Sequence, residues 1–194
     1  NYLNRCPTDS EKEEVLSIME RRGFPGCFAS WDCKHFNWER CPVRLAGQHK
    51  GSKVGKALIL EAISDPFLYI WYSFFGEPGS LNDINVLDKS TIIGAIISQQ
   101  FNGKVNEYVI NGRRRDWLYF LVDGIYPPFS IFCKTLSIPL TDAQRCYAKR
   151  HESVRKDVER AFGVMVQRFG VLKRPIRNWY LKDIQNIVNC CIIL

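Results

Sequence analysis

What this chain lacks narrows it first. It has no apolar run of bilayer length: LYIWYSFF at 68–75, among the longest, falls far short of the roughly 20 residues that span one. The amino-terminal segment, NYLNRCPTDSEKEE, is polar and carries no signal-peptide core. The eight cysteines stand at 6, 27, 33, 41, 133, 146, 190 and 191 and form no CxxC pair, so spacing supports neither a disulfide framework nor a zinc site. Cys33 in a predicted strand, and Cys190 and Cys191 on an apolar helix, read as buried thiols, which points to a reducing compartment. No internal repeat, low-complexity tract or linker divides the chain. It begins at Asn1 without a Met and stops at CCIIL inside an apolar pattern, so it reads as a piece of a longer protein.

What is present is a globular composition with a basic surface. The 194 residues suffice for one domain, and 46% hydrophobic with 13% aromatic content excludes a disordered chain. A net charge of +7 favours an anionic partner, nucleic acid first and an acidic membrane surface second. With no membrane-spanning run in the sequence, nucleic acid is the expected partner and a membrane is not.

The pattern along the chain predicts a helix over 9–22, capped by Asp9 or Ser10, and a short strand over 27–33 that delivers Asp32. Two further strands, 57–65 and 68–77, flank Asp65-Pro66 and read as a hairpin. A helix then opens near Ser80, with Ser80 as cap and Asp83 at its third position. Asn111-Gly112 marks a turn, and WLYFLV at 117–122 is a buried strand ending in Asp123-Gly124. The last third is helical over 142–170 and 180–194, with Val154, Val158, Ala161, Phe162, Met165 and Phe169 at helical spacing. That order suits an α/β fold: a mixed sheet flanked by helices, the architecture of a ribonuclease H-like core. Residues 1–26 form a helical lead-in and 27–194 the core.

Three acids stand out: Asp32 and Asp123 at strand positions and Glu159 on a helix, with 35 residues between the last two. Two strand aspartates and a helix glutamate can hold two divalent cations against a phosphodiester. Each also has a plainer reading. Asp123-Gly124 can be a strand-ending turn, and Glu159 a solvated acid paired with Arg155 at i−4. Glu152 lies two turns before Glu159 on nearly the same face and is its rival, whereas Asp157 is on another face. Asp83 and Asp88 read as capping and solvated acids, and His35 as a packed histidine. Phe67, Tyr69, Trp71, Phe74 and Phe75 read as core, while Trp38 could stack on a base. Basic residues available to hold DNA are Lys50, Lys53, Lys56, Arg113, Arg114, Arg115, Lys173, Arg174 and Arg177.

The blocks WDCKHFNWERCP, LILEAISDPFLYIWYSFFGEPGSLNDINVLDKS, VDGIYPPF and ESVRKDVERAFGVMVQRFGVLKRPIRNW resemble those of the Harbinger-type transposases, in the plant-transposon group of DDE-superfamily endonucleases. They follow the family's order from about 25 to 194. The resemblance implies a ribonuclease H-like core that cuts and joins DNA with Mg2+ or Mn2+, and it places the triad at Asp32, Asp123 and Glu159. Asp32 would bridge both ions, with Asp123 on one and Glu159 on the other. It further implies transposon ends and target DNA as partners, a Myb-like accessory protein, a homo-oligomer and a nuclear setting. The alternative is a domesticated relative that binds DNA or protein without cutting. The family's helical DNA-binding region and its continuation after CCIIL are not in this stretch.

Overall fold

The computed structural model describes residues 3–51, 55–97 and 107–194. Its elements run α1 (Asp9–Arg21), β1 (Cys27–Asn37), β2 (Lys50–Gly51), β3 (Gly55–Ser64), β4 (Ile70–Pro78), α2 (Asp83–Lys89), α3 (Ile92–Ile97), β5 (Tyr108–Ile110), β6 (Arg113–Arg115), β7 (Tyr119–Val122), β8 (Phe132–Lys134), α4 (Asp142–Arg168), α5 (Gly170–Lys173) and α6 (Leu181–Ile193). β1 is the central strand. It pairs antiparallel with β3 on one edge and parallel with β7 on the other. β3 in turn pairs antiparallel with β4 and β2, and β7 pairs parallel with β8. This is the mixed sheet flanked by helices expected of a ribonuclease H-like core.

A strand covered on both faces reads as a continuous apolar run instead of an alternating one. β1 shows this over Cys27–Trp31, all buried, and β3 over Ala57–Ser64. Leu58, Leu60 and Ala62 pack with Val158, Phe162 and Met165 of α4 and with Ile184 and Val188 of α6. Val15 and Met19 of α1 pack with Phe28 and Trp31 in the second cluster. α4 therefore lies over β1, where its apolar stripe meets the sheet.

Local signals explain most boundaries, and several differ from expectation. α1 is capped by Thr8, not Asp9 or Ser10, through a reciprocal capping box with Glu11. Asn82, not Ser80, caps α2, because the Ser80 hydroxyl donates instead to the Gln48 carbonyl at 2.5 Å. β1 continues four residues past the expected Cys33 to Asn37, since β3 supplies partners as far as Asn37↔Ala57. Asn111 and Gly112 both have positive φ, +50° and +74°, and close the β5–β6 hairpin that presents Arg113–Arg115. α4 opens on a Thr141–Gln144 capping box and ends at Arg168. β8 had no sequence signal beyond a short mixed segment.

Some burial expectations are corrected as well. Trp38 is 1% exposed and its indole N–H donates to the Asn178 carbonyl at 2.8 Å, so no base can stack on it. Phe67 and Tyr69 are exposed while Trp71 and Phe75 are core. His35 is exposed, not packed, and Cys190 is exposed although Cys191 is buried. Among the described residues no helix is long and apolar enough to cross a membrane.

Candidate functional site

The site forms where β7 runs out beside β1. The parallel register pairs Ser30 with Leu121. Asp32 and Asp123 each follow that pair by two residues in their own strands' direction. β7 stops at Val122, whereas the pairing of β1 with β3 continues through Asp32 to Asn37. A strand end of this kind leaves polar groups free to converge in an otherwise buried sheet.

Asp32 is half-buried, and the Cys33 N–H donates to its Oδ1 at 2.8 Å. Burial is the largest influence on its carboxyl and raises the pKa to about 6, although the Cys33 N–H and the Arg155 guanidinium both pull it down. The charges of Asp83 and Glu159 add to the rise. Asp123 is exposed, and its Oδ1 accepts the Gly124 N–H at 2.6 Å, a turn contact that also fixes the carboxylate.

α4 brings the third acid. Its 27 residues lie along β1, and the Ser30 hydroxyl donates to the Val154 carbonyl at 3.1 Å. Arg155, one residue on, reaches the sheet. Its Nη1 stands 3.4 Å from Asp32 Oδ2, and its Nη2 lies 3.1 Å from Glu159 Oε1 and 3.2 Å from Glu152 Oε2. The side chain is only 11% exposed. Burial opposes its charge, but Glu152, Asp32 and Glu159 together raise its pKa, so it remains a cation. Glu159 and its rival Glu152 both contact this arginine; the field of Glu159 also reaches Asp32. Asp157, on the other side of α4, is buried and held by Arg22 and Arg160.

A further acid, expected from its position to serve capping, lies beside the site. Asp83 is half-buried at the start of α2, with Asn82 performing the capping. Burial raises its pKa; the Cys33 thiol and His35 pull it back, and the charge of Asp123 adds to the rise. Asp32, Asp123, Glu159 and Asp83 thus share one electrostatic neighbourhood. As the side chains stand, no three acid, histidine or cysteine groups among the described residues meet closely enough to grip a metal ion. Asp32 and Glu159 instead converge on the Arg155 guanidinium. Carboxylate oxygens from a strand and a helix, hard donors of the kind divalent cations take, thus surround one positive group.

The basic residues fall in three places. Lys50 faces Lys56 across the short β2–β3 ladder, and Lys53 lies outside the described residues. Arg113, Arg114 and Arg115 make up β6; Arg114 pairs with Glu107 at 3.2 Å, and Arg115 sits 4.8 Å over the Trp117 ring. Lys173 and Arg174 are exposed at the end of α5, and Arg177 pairs with Glu39 at 2.9 Å.

A family model described as plant transposon protein matches residues 1–194. No curated protein and no solved structure matches the chain.

Proposed function

Since the chain belongs to the plant transposon protein family, we propose that it is the DDE-type catalytic core of a Harbinger-like transposase, a metal-dependent endonuclease and strand-transfer enzyme acting on DNA. The observation that carries this reading is the convergence of Asp32 from β1 and Glu159 from α4 on one cationic group, with Asp123 at the adjoining strand end.

Asp32, Asp123 and Glu159 are the residues that would hold Mg2+ or Mn2+. The bound ions would supply an activated water or 3′-hydroxyl and stabilise the leaving oxygen. The chain's own part is placement. The Cys33 and Gly124 N–H groups each fix one oxygen of an aspartate, and the second oxygen of Asp32 stands 3.4 Å from Arg155 Nη1. α4 is seated on the sheet by its buried stripe of Val154, Val158 and Phe162, and the exposed Glu159 is held by Arg155 Nη2 at 3.1 Å. The basic stretches on β2–β3, β6 and α5 are the proposed contacts to transposon-end and target DNA phosphates. A Myb-like accessory protein, a homo-oligomer and a nuclear setting belong to the same proposal.

The test is digestion of labelled DNA and RNA by the full chain with Mg2+, Mn2+ or chelator, beside Asp32→Asn. Metal-dependent DNA cleavage lost in the variant supports the reading. Cleavage of RNA alone would make it a ribonuclease. DNA binding without any cleavage, unaffected by the variant, would leave the domesticated DNA-binding domain in its place.

A further inference from the structure

We propose that Arg155 is the resident counter-cation of this acid cluster: its guanidinium holds the place between Asp32 and Glu159 that a divalent cation takes, so cation loading requires the arginine to leave. The proposal rests on the metal-dependent reading above and adds to it a residue that sets the affinity and order of loading.

The geometry is specific. The two carboxylates come from different elements, 123 residues apart for the Asp32 contact, and meet on the two ends of one planar group. Arg155 Nη1 takes Asp32, and Nη2 takes Glu159 together with Glu152. Three carboxylates on one guanidinium, Asp32 well covered and Glu152 and Glu159 more exposed, repel one another, and the single positive charge relieves only part of that repulsion. A divalent ion relieves more of it with the same oxygens. The two cations compete for those oxygens, because like charges at contact distance repel one another. An arginine does not leave by giving up its proton, so it has to swing out as a charged side chain.

The present rotamer also carries a cost that makes exchange feasible. Arg155 Nε is buried and has no hydrogen-bond partner among the described residues. A buried N–H left unpaired is unfavourable, and it regains a partner once the side chain moves to water. Only the terminal nitrogens are anchored, and all their recorded partners are carboxylates. The opposite reading, a fixed bridge that pins α4 to β1 and positions the acids for metal, makes the contrary prediction about affinity.

The experiment is Mn2+ binding by calorimetry or electron paramagnetic resonance on the full chain, with melting curves with and without Mn2+, for wild type, Arg155→Gln and Arg155→Lys. Removing a competing positive charge at contact distance should tighten Mn2+ binding in Arg155→Gln by about tenfold or more. The metal-free variant should melt below wild type, and Mn2+ should narrow the gap, as linkage requires. Arg155→Lys keeps the charge but can reach one carboxylate at a time. Its affinity should lie between the other two, and it decides the question if the glutamine variant does not fold. Wild-type binding with equal or weaker binding in the variants overturns the counter-cation role and leaves the metal reading standing. Absence of Mn2+ binding in all three proteins overturns the metal reading, and this inference with it.

Discussion

The Trp31 indole N–H donates to Glu61 Oε1 at 3.1 Å, inside the sheet, where Glu61 is fully buried. Burial raises the Glu61 pKa to about 7, against pull from the Ser90 hydroxyl and the Trp31 indole, with a further push from Asp83. For an acid with a raised folded pKa, the stabilising state is the protonated one. Its contribution is complete below the unfolded value near 4.5 and is lost as pH climbs through about 7. Asp32, raised to about 6, acts in the same direction over a window that closes earlier.

It follows that Glu61→Gln, which mimics the protonated acid, should leave stability unchanged at pH 4.5 and raise it at pH 8. The gain should be on the order of 1–3 kcal/mol. Denaturant unfolding at the two pH values in chelating buffer measures it. An equal effect at both would mean that Glu61 does not titrate in this range.

Asp123 calls for a different test because it is exposed and its Oδ1 already serves the Gly124 N–H. Asparagine keeps that acceptor, so Asp123→Asn should preserve the turn and leave the metal-free melting temperature unchanged or slightly higher. Mg2+-dependent cleavage should be abolished, and the Mg2+-induced rise in melting temperature should shrink. Equal cleavage by the two proteins would remove Asp123 from the reaction.

DNA binding should be electrostatic. Each phosphate neutralised contributes about −0.9 to the slope of log affinity against log salt. Replacing Lys173 and Arg174 by Gln should flatten that slope by about 2 if both touch phosphate. The same change at Arg113 and Arg114 separates the hairpin from the site. Whichever pair leaves the slope untouched lies off the DNA path.

Much of the fold was legible because periodicity reports burial. The apolar runs of β3 and β7 and the stripe on α4 each have a dominant partner face, and the sheet order follows from them. Boundaries were less legible where side-chain acceptors compete. Thr8 displaced Asp9 as the α1 cap, and Asn82 displaced Ser80 at α2, because cap choice depends on which oxygen reaches the N3 amide. The acids Asp32, Asp123 and Glu159 could be named from pattern. What pattern could not convey was the hub between them. Arg155 sits at i+3 from Glu152 and i−4 from Glu159, a spacing that predicts ordinary helix ion pairs; its reach to Asp32 depends on how α4 lies across β1. Asp83 was missed for the same reason, since only the packing of α2 sets it beside Cys33.

Asp157 separates structure from chemistry on the same helix. It is 1% exposed, and Arg160 Nη2 reaches its Oδ1 at 2.6 Å while Arg22, just past α1, grips both oxygens. The pair with Arg22 joins α4 to the end of α1. Only Asp157 is fully buried, since Arg22 and Arg160 keep access to water, so Asp157→Asn loses its charge-assisted hydrogen bonds and should destabilise the fold by about 1–3 kcal/mol. The variant that still folds should keep its Mn2+ affinity, because Asp157 faces away from the cluster that Arg155 holds. Chemical denaturation and Mn2+ titration of the same preparation give both numbers. A stable Asp157→Asn protein with weakened Mn2+ binding would move the metal site to the opposite face of α4, and Glu159 would no longer be its helical ligand.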